Sequence, residues 1–293
     1  MNHERVASNF PYESHYIAVD DTQLHYIEEG KGDPILFIHG IPTSSYVWRN
    51  VIPHLKDLGR CIAPDLIGFG KSGKPDIDYT LKDHCHFIKA FIEKLNLKNI
   101  ILIVHGFGSI VGLDFAMQHP ELFKGIVFYE SYIRPENKED SALPYQEQKY
   151  QLQTEENVYR TFMNGAEFID RILPLGMIRP LSDEELKFYR EPFLNNNTQK
   201  PLLQYLNELP QDDNKTNQVI AAYSEKLQHS SLPKLMLYSV PGFITTIATV
   251  MWAKENLWNL QINEVGEALH YGQESNPALI GESISVWIQG LEE

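Results

Sequence analysis

ILIVHGFGSIVG, residues 101–112, passes from a continuous apolar run into a glycine-rich turn and then into apolar residues at helical spacing. That is the pattern of a buried strand feeding a helix through a tight turn, where enzymes commonly hold a nucleophile or a phosphate. The apex here is Gly106, which projects no side chain. One meaning of such a turn is cofactor binding. Gly106, Gly108 and Gly112 form a GxGxxxG pattern, and Glu130 ends the next strand 24 residues past Gly106. Glycines so placed admit a pyrophosphate to the helix N-terminus, and the acid takes the ribose hydroxyls. This turn lies on the fifth strand, however, whereas that fingerprint belongs to the first. No cofactor is expected.

Outward from the turn, short β-rich runs alternate with helical stretches. HYIAVD (15–20) and QLHYIEEG (23–30) read as a hairpin turning at DDT. PILFIHG (34–40), RCIAPDL (60–66), NIILIVHG (99–106) and GIVFYE (125–130) are continuous apolar strands, as in a sheet covered on both faces. DHCHFIKAFIEKLN and SIVGLDFAMQHPELF lie between them with helical spacing; KLMLYSV (234–240), LQINEV (260–265) and a closing amphipathic helix around PALIGESISVWIQGL follow. The alternation predicts an α/β chain with a doubly wound, mostly parallel eight-stranded sheet. Residues from about 134 to 215 read differently: helix-like, rich in Gln, Glu, Asn and Tyr. They are expected to form a helical cap inserted into a core domain of residues 1–133 and 216–293.

Composition narrows the function. The 293 residues are 43% hydrophobic and 22% charged, enough apolar material for a large core. The net charge of −14 argues against nucleic acid and anionic membranes, which basic patches bind. No apolar run reaches the roughly 20 residues of a membrane span, and MNHERVASNFPYES lacks the apolar centre of a signal peptide. Cys61 and Cys85 lack CxxC spacing, so reduced thiols and a cytoplasmic location are expected. His84 and His86 flank Cys85, but HxH on a helix sends its rings to different faces. No metal site is expected.

HGIPTSSYVWRN follows the third strand, APDLIGFGKSGKPD the fourth, and GEALHYGQESNP the eighth. Together with IPTSSYVWRNVIPHL, REPFL and LHYGQESNPALIG, this set resembles the α/β-hydrolase fold and, within it, the haloalkane dehalogenase family, which lies near a coelenterazine luciferase. The resemblance covers nearly the whole chain. It implies an Asp at the elbow that attacks a carbon–halogen bond, a His that activates water on the resulting ester, and a carboxylate that orients the His. By position these are Gly106, His270 and Glu130. The other family location for the acid, after the seventh strand, reads SVPGFITTIATV and contains none.

The family's two halide donors, a Trp after the nucleophile and an Asn after the third-strand HG, correspond to Phe107 and Ile41, whose side chains cannot donate. Nucleophile and donors are thus absent together, a pattern of divergence, and family dehalogenation is expected to be absent. Glycine also suits the elbow's backbone, and the missing carboxylate is expected to leave space for a water, roughly 30 Å³ of liquid volume. Ser109, in the first helical turn, is expected to bond to backbone, and His105 to be packed and hydrogen-bonded. Phe168, Ile172, Leu173, Leu175, Gly176, Phe243 and Ile244 fall where the family lines its access tunnel.

The leading expectation is non-covalent acid–base chemistry by His270 and Glu130 on a small apolar organic molecule, with the backbone N–H groups of Ile41 and Phe107 as an oxyanion hole. Hydrolysis, isomerisation, elimination and cofactor-free oxygenation all fit. The alternatives are a non-catalytic binding protein that keeps the pocket, and residual dehalogenation by another residue.

Overall fold

Alternate residues of the central strands face opposite ways and so divide between two cores. Leu36, Ile38, Leu102, Val104, Ile126 and Phe128 join one; Ile35, Phe37, Ile101, Ile103, Val127 and Tyr129 join the other. The first core is closed by helices carrying Phe87, Phe91, Ile110 and Leu113, the second by Trp48, Ile284 and Trp287. Covered on both faces, these strands need the continuous apolar runs that the sequence contains.

The computed structural model describes residues 6–136, 165–194, 198–210 and 214–291. Its strands are β1 (Ser14–Val19), β2 (Thr22–Glu29), β3 (Pro34–Ile38), β4 (Arg60–Pro64), β5 (Ile100–Gly106), β6 (Phe123–Ser131), β7 (Lys234–Pro241) and β8 (Leu260–Ala268). They form one sheet in the order β1-β2-β4-β3-β5-β6-β7-β8. The β1–β2 hairpin is antiparallel, β2 pairs antiparallel with β4, and every other pair is parallel. The chain is therefore an eight-stranded, mostly parallel α/β fold.

Helix α1 (Leu81–Lys94) starts at a Thr80–Asp83 capping box and buries Leu81, His84, Phe87, Ile88 and Phe91 along one stripe. Helix α2 (Phe107–Gln118) is apolar all round because sheet and helices enclose it, and Pro120 begins a separate turn beyond its end. Between β6 and β7 lie α3 (Gly165–Ile172), α4 (Asp183–Arg190), α5 (Lys200–Glu208) and α6 (Lys215–His229). Much of the expected cap, residues 137–164, falls outside the described residues. After β7 come α7 (Ile247–Asn256), α8 (Gly272–Ser275) and α9 (Pro277–Gly290). No described helix is long and apolar enough to cross a membrane.

The glycines of the opening turn have mechanical reasons to be glycines. Gly106 holds φ +51, a left-handed conformation. A Cβ on Gly108 would stand 2.2 Å from the His39 carbonyl oxygen and 2.7 Å from that of Ile38, so α2 passes directly over the end of β3. A Cβ on Gly112 would meet Val104 Cγ1 at 2.7 Å. Close helix–strand packing accounts for the spacing without a dinucleotide. We expect Gly108→Ala to lower stability by about 3 kcal/mol, since backbone oxygens cannot yield. Gly112→Ala should cost less, because a methyl can move. Equal urea midpoints for Gly108→Ala and the unaltered chain would refute the packing role.

Asp65, buried after β4, organises the neighbouring loops. Its carboxylate accepts from Ser45 N at 2.7 Å, Lys71 N at 2.8 Å and His25 Nδ1 at 2.7 Å. Burial pushes its pKa up, but the bond and charge from His25, with smaller help from His39 and the Ser45 amide, hold it at about 2, below the ordinary 3.8. A depressed folded-state value means a contribution complete above about pH 4 and lost as pH falls through 2. That contribution is about 2 kcal/mol. Asp65→Asn should flatten the fall in stability between pH 4 and 2, measured by unfolding at stepped pH.

Candidate active site

Three loops converge at the carboxyl ends of β5, β6 and β8. Gly106 caps β5 at φ +51 and ψ −132, and the imidazole of His270 lies against it. A Cβ built on Gly106 would be 3.1 Å from His270 Nε2, 3.3 Å from Cε1 and 3.4 Å from Gly40 Cα. The expected water-sized space is thus narrowed by the ring. On its other side, His270 Nδ1 is 3.0 Å from Glu130 Oε2, and the carboxylate is fully buried.

Glu130 has a cradle that the sequence did not disclose. The loop after β7 turns at Gly242 (φ +70) and directs three successive N–H groups at this carboxylate. Phe243 N and Thr245 N donate to Oε1 at 2.9 and 3.1 Å, and Ile244 N donates to Oε2 at 2.7 Å. Three donors and the His270 ring N–H occupy a group that only accepts when ionised. With the carboxylate accepting, Nδ1 donates, and Nε2 faces Gly106. Glu130 itself sits at φ +46, which costs a non-glycine residue roughly 1–2 kcal/mol.

The residues just before the two site positions face the opposite side of the sheet and brace the His270 loop from there. His105 Nε2 donates to the His270 carbonyl at 2.9 Å, and the Tyr129 hydroxyl donates to the Leu269 carbonyl at 3.1 Å. Burial, then the nearby His270, keeps the His105 pKa well below the usual histidine value, so it serves as a neutral, packed donor. Its ring lies 4.3 Å from that of His270 and stacks on Tyr129. Four residues past His270, Glu274 is held by Arg49 and by the Tyr189 hydroxyl of α4; Arg49 and Arg179 both reach Glu185. This buried cluster ties α4 to the His270 loop.

The remaining walls are largely apolar. Ile41 and Phe107 are both 2% exposed, and Phe107 packs edge-on against His84 and Tyr205. The Phe243 ring lies 5.9 Å from His270. Gly176 touches the same loop: its carbonyl accepts from Tyr271 N, and a Cβ there would be 3.0 Å from His270 Cβ. Phe168 and Leu173 are buried, while Ile172 and Ile244 are half-buried. Leu175, also expected in the tunnel lining, is 52% exposed. In the 3₁₀ turn Leu173–Gly176, residues three apart share a face, so Leu173 and Gly176 turn inward and Leu175 outward.

Ser109 is fully buried; its hydroxyl donates to the Gly106 carbonyl at 2.6 Å and accepts from Tyr132 N at 2.9 Å. It acts as a brace under the turn. His84 is buried, its pKa pushed down to about 3 by burial and then by His39, whereas His86 is exposed and paired with Asp20. The two rings do point to different faces.

Residues 33–169 match the family described as alpha/beta hydrolase fold. A haloalkane dehalogenase of Mesorhizobium japonicum is 34% identical over 278 residues, covering 93% of this chain and 90% of that protein. One from Sphingobium indicum is 35% identical over 291 residues, covering 95% and 96%. The crystal structure of the haloalkane dehalogenase DbeA from Bradyrhizobium elkani superposes with TM-score 0.90 at 33% identity, covering 96% of this chain and 98% of that one. That of DatA from Agrobacterium tumefaciens gives 0.88 at 30% identity, covering 97% and 98%. Sequence and fold agree over nearly the full length: the chain belongs to the haloalkane dehalogenase family of α/β hydrolases.

Proposed function

We propose that Gly106 occupies the family's nucleophile position, and that the site works by acid–base chemistry without a covalent intermediate. The observation that carries this is the oriented imidazole. Glu130 takes up Nδ1, while Nε2 faces a glycine from only 3.1 Å beyond where a side chain would begin. A base so held can remove a proton from water or from an acidic carbon of a bound substrate, returning it after bond cleavage or rearrangement. The backbone N–H groups of Ile41 and Phe107 stabilise the developing oxyanion, a task independent of their side chains. The apolar walls fit a small uncharged organic substrate, as a hydrolase, isomerase or eliminating enzyme would take.

The test is product analysis of the unaltered protein on haloalkanes, epoxides, esters and lactones, beside His270→Ala. Turnover of a non-halogenated compound, falling about 10²–10⁴-fold in the variant, is the expected result. Halide release by the unaltered chain would overturn the loss of dehalogenation. Ligand retention without turnover, unaffected by His270→Ala, would make the pocket that of a binding protein.

A further inference from the structure

A second constellation lies at the far edge of the sheet, on β1 and the strands beside it. Ser14 begins the edge strand β1, where it is half-buried. Its hydroxyl is 3.0 Å from His25 Nε2, and His25 Nδ1 is 2.7 Å from Asp65 Oδ2. Asp65 also accepts two backbone N–H groups, from Ser45 and Lys71, and is held ionised by its surroundings. Nδ1 of His25 is therefore the donor, and Nε2 accepts from the Ser14 hydroxyl. Lys71 Nζ completes the arrangement, 3.2 Å from Ser14 Oγ. His25, Asp65 and Lys71 line a cavity of about 240 Å³ together with the charged Lys74 and Glu191; Ser14 is not itself in its lining but contacts His25 and Lys71 there. Phe10, Tyr46 and Phe188 form an aromatic wall in it, with the Tyr46 and Phe188 rings stacked at 4.3 Å.

We infer that Ser14, His25 and Asp65 form a second hydrolytic site, for small uncharged carboxylic esters. Triads are recognised by geometry and role rather than by chain order, and each role is filled here. Ser14 Oγ attacks the ester carbonyl carbon while its proton passes to His25 Nε2. The carbon–oxygen bond to the alcohol then breaks, and His25 returns the proton to the departing alcohol. Water, deprotonated by the same nitrogen, cleaves the acyl–serine bond, releasing the carboxylic acid and restoring Ser14. Asp65 keeps the ring oriented and offsets its transient charge; the Lys71 ammonium stabilises negative charge beside Ser14. None of these residues contributes to the Gly106–His270–Glu130 site, so the inference stands apart from the proposal above.

The full-length protein is treated with diisopropyl fluorophosphate, and in parallel with 4-nitrophenyl acetate under quench; adducts are located by peptide mass spectrometry. The expected result is a phosphoryl and an acetyl adduct on Ser14, both lost in Ser14→Ala, with acetylation slowed at least tenfold in Lys71→Met. Because Ser14 is half-buried on an edge strand, Ser14→Ala should fold, which its circular dichroism and melting temperature check. Adducts absent from Ser14 while that fold is intact, or acetylation of Ser14 that Lys71→Met leaves at full rate, would overturn the site.

Discussion

Gly106→Asp alone is expected to release little or no halide from a haloalkane. The new Cβ meets the His270 ring at 3.1 Å, so the ring must give by a few tenths of an ångström. The backbone at φ +51 adds roughly 1–2 kcal/mol of strain for any residue but glycine. Even a correctly placed carboxylate would expel halide into a pocket walled by Ile41 and Phe107, neither of which donates from its side chain. Adding Phe107→Trp and Ile41→Asn should raise the rate by about 10²–10³ for each donor restored, read as halide release per enzyme at saturating substrate. Full activity from the single substitution would show that the missing donors do not matter. No activity from the triple variant would place the defect elsewhere, first in the position of His270.

Removing Glu130 should be costly in two ways. Glu130→Ala strands the N–H groups of Phe243, Ile244 and Thr245 and the ring N–H of His270. An orphaned buried donor costs about 1–3 kcal/mol, less where water enters, so a loss of about 4 kcal/mol is expected in urea unfolding. Glu130→Gln is the sharper comparison. Its amide offers one acceptor oxygen and one donor nitrogen to a ring of donors, so it should recover only part of that loss. If acid–base chemistry is the function, both variants also lose turnover, because the ring is freed to rotate. A Glu130→Ala protein as stable as the unaltered chain would mean that the loop after β7 is held by something other than this carboxylate.

Much of the fold was legible because its causes are local. Continuous apolar runs mark strands buried on both faces, and apolar residues at helical spacing in DHCHFIKAFIEKLN mark the helix that became α1. Glu130 could be singled out because SVPGFITTIATV contains no competing acid. What the same segment does contain, three N–H groups aimed at Glu130, is a property of backbone direction and leaves no residue signature beyond Gly242. The bracing by His105 and Tyr129 was hidden for a similar reason: strand alternation implies that they face away from the site, not that a distant loop lies there. Leu175 was placed by resemblance to the family's tunnel, which does not show that it follows Leu173 in a 3₁₀ turn and points outward. The Ser14–His25–Asp65 arrangement joins β1, β2 and the loop after β4, and no spacing in the chain foretells it.

The left-handed backbone at Gly106 has a historical consequence. A residue there other than glycine is maintained against strain and, with the ring where it stands, meets His270 at 3.1 Å, so a glycine leaves the turn relaxed. A change away from glycine must accept the strain and displace the ring by a few tenths of an ångström, and on the proposed reading it also needs donors at positions 41 and 107 before it brings any advantage. On the function proposed above, losing the apex side chain is downhill for the backbone, whereas return needs the apex and both donors together, with no benefit between the steps. On that reading the turn acts as a ratchet, and descendants of this protein would diversify around a glycine apex rather than refill it.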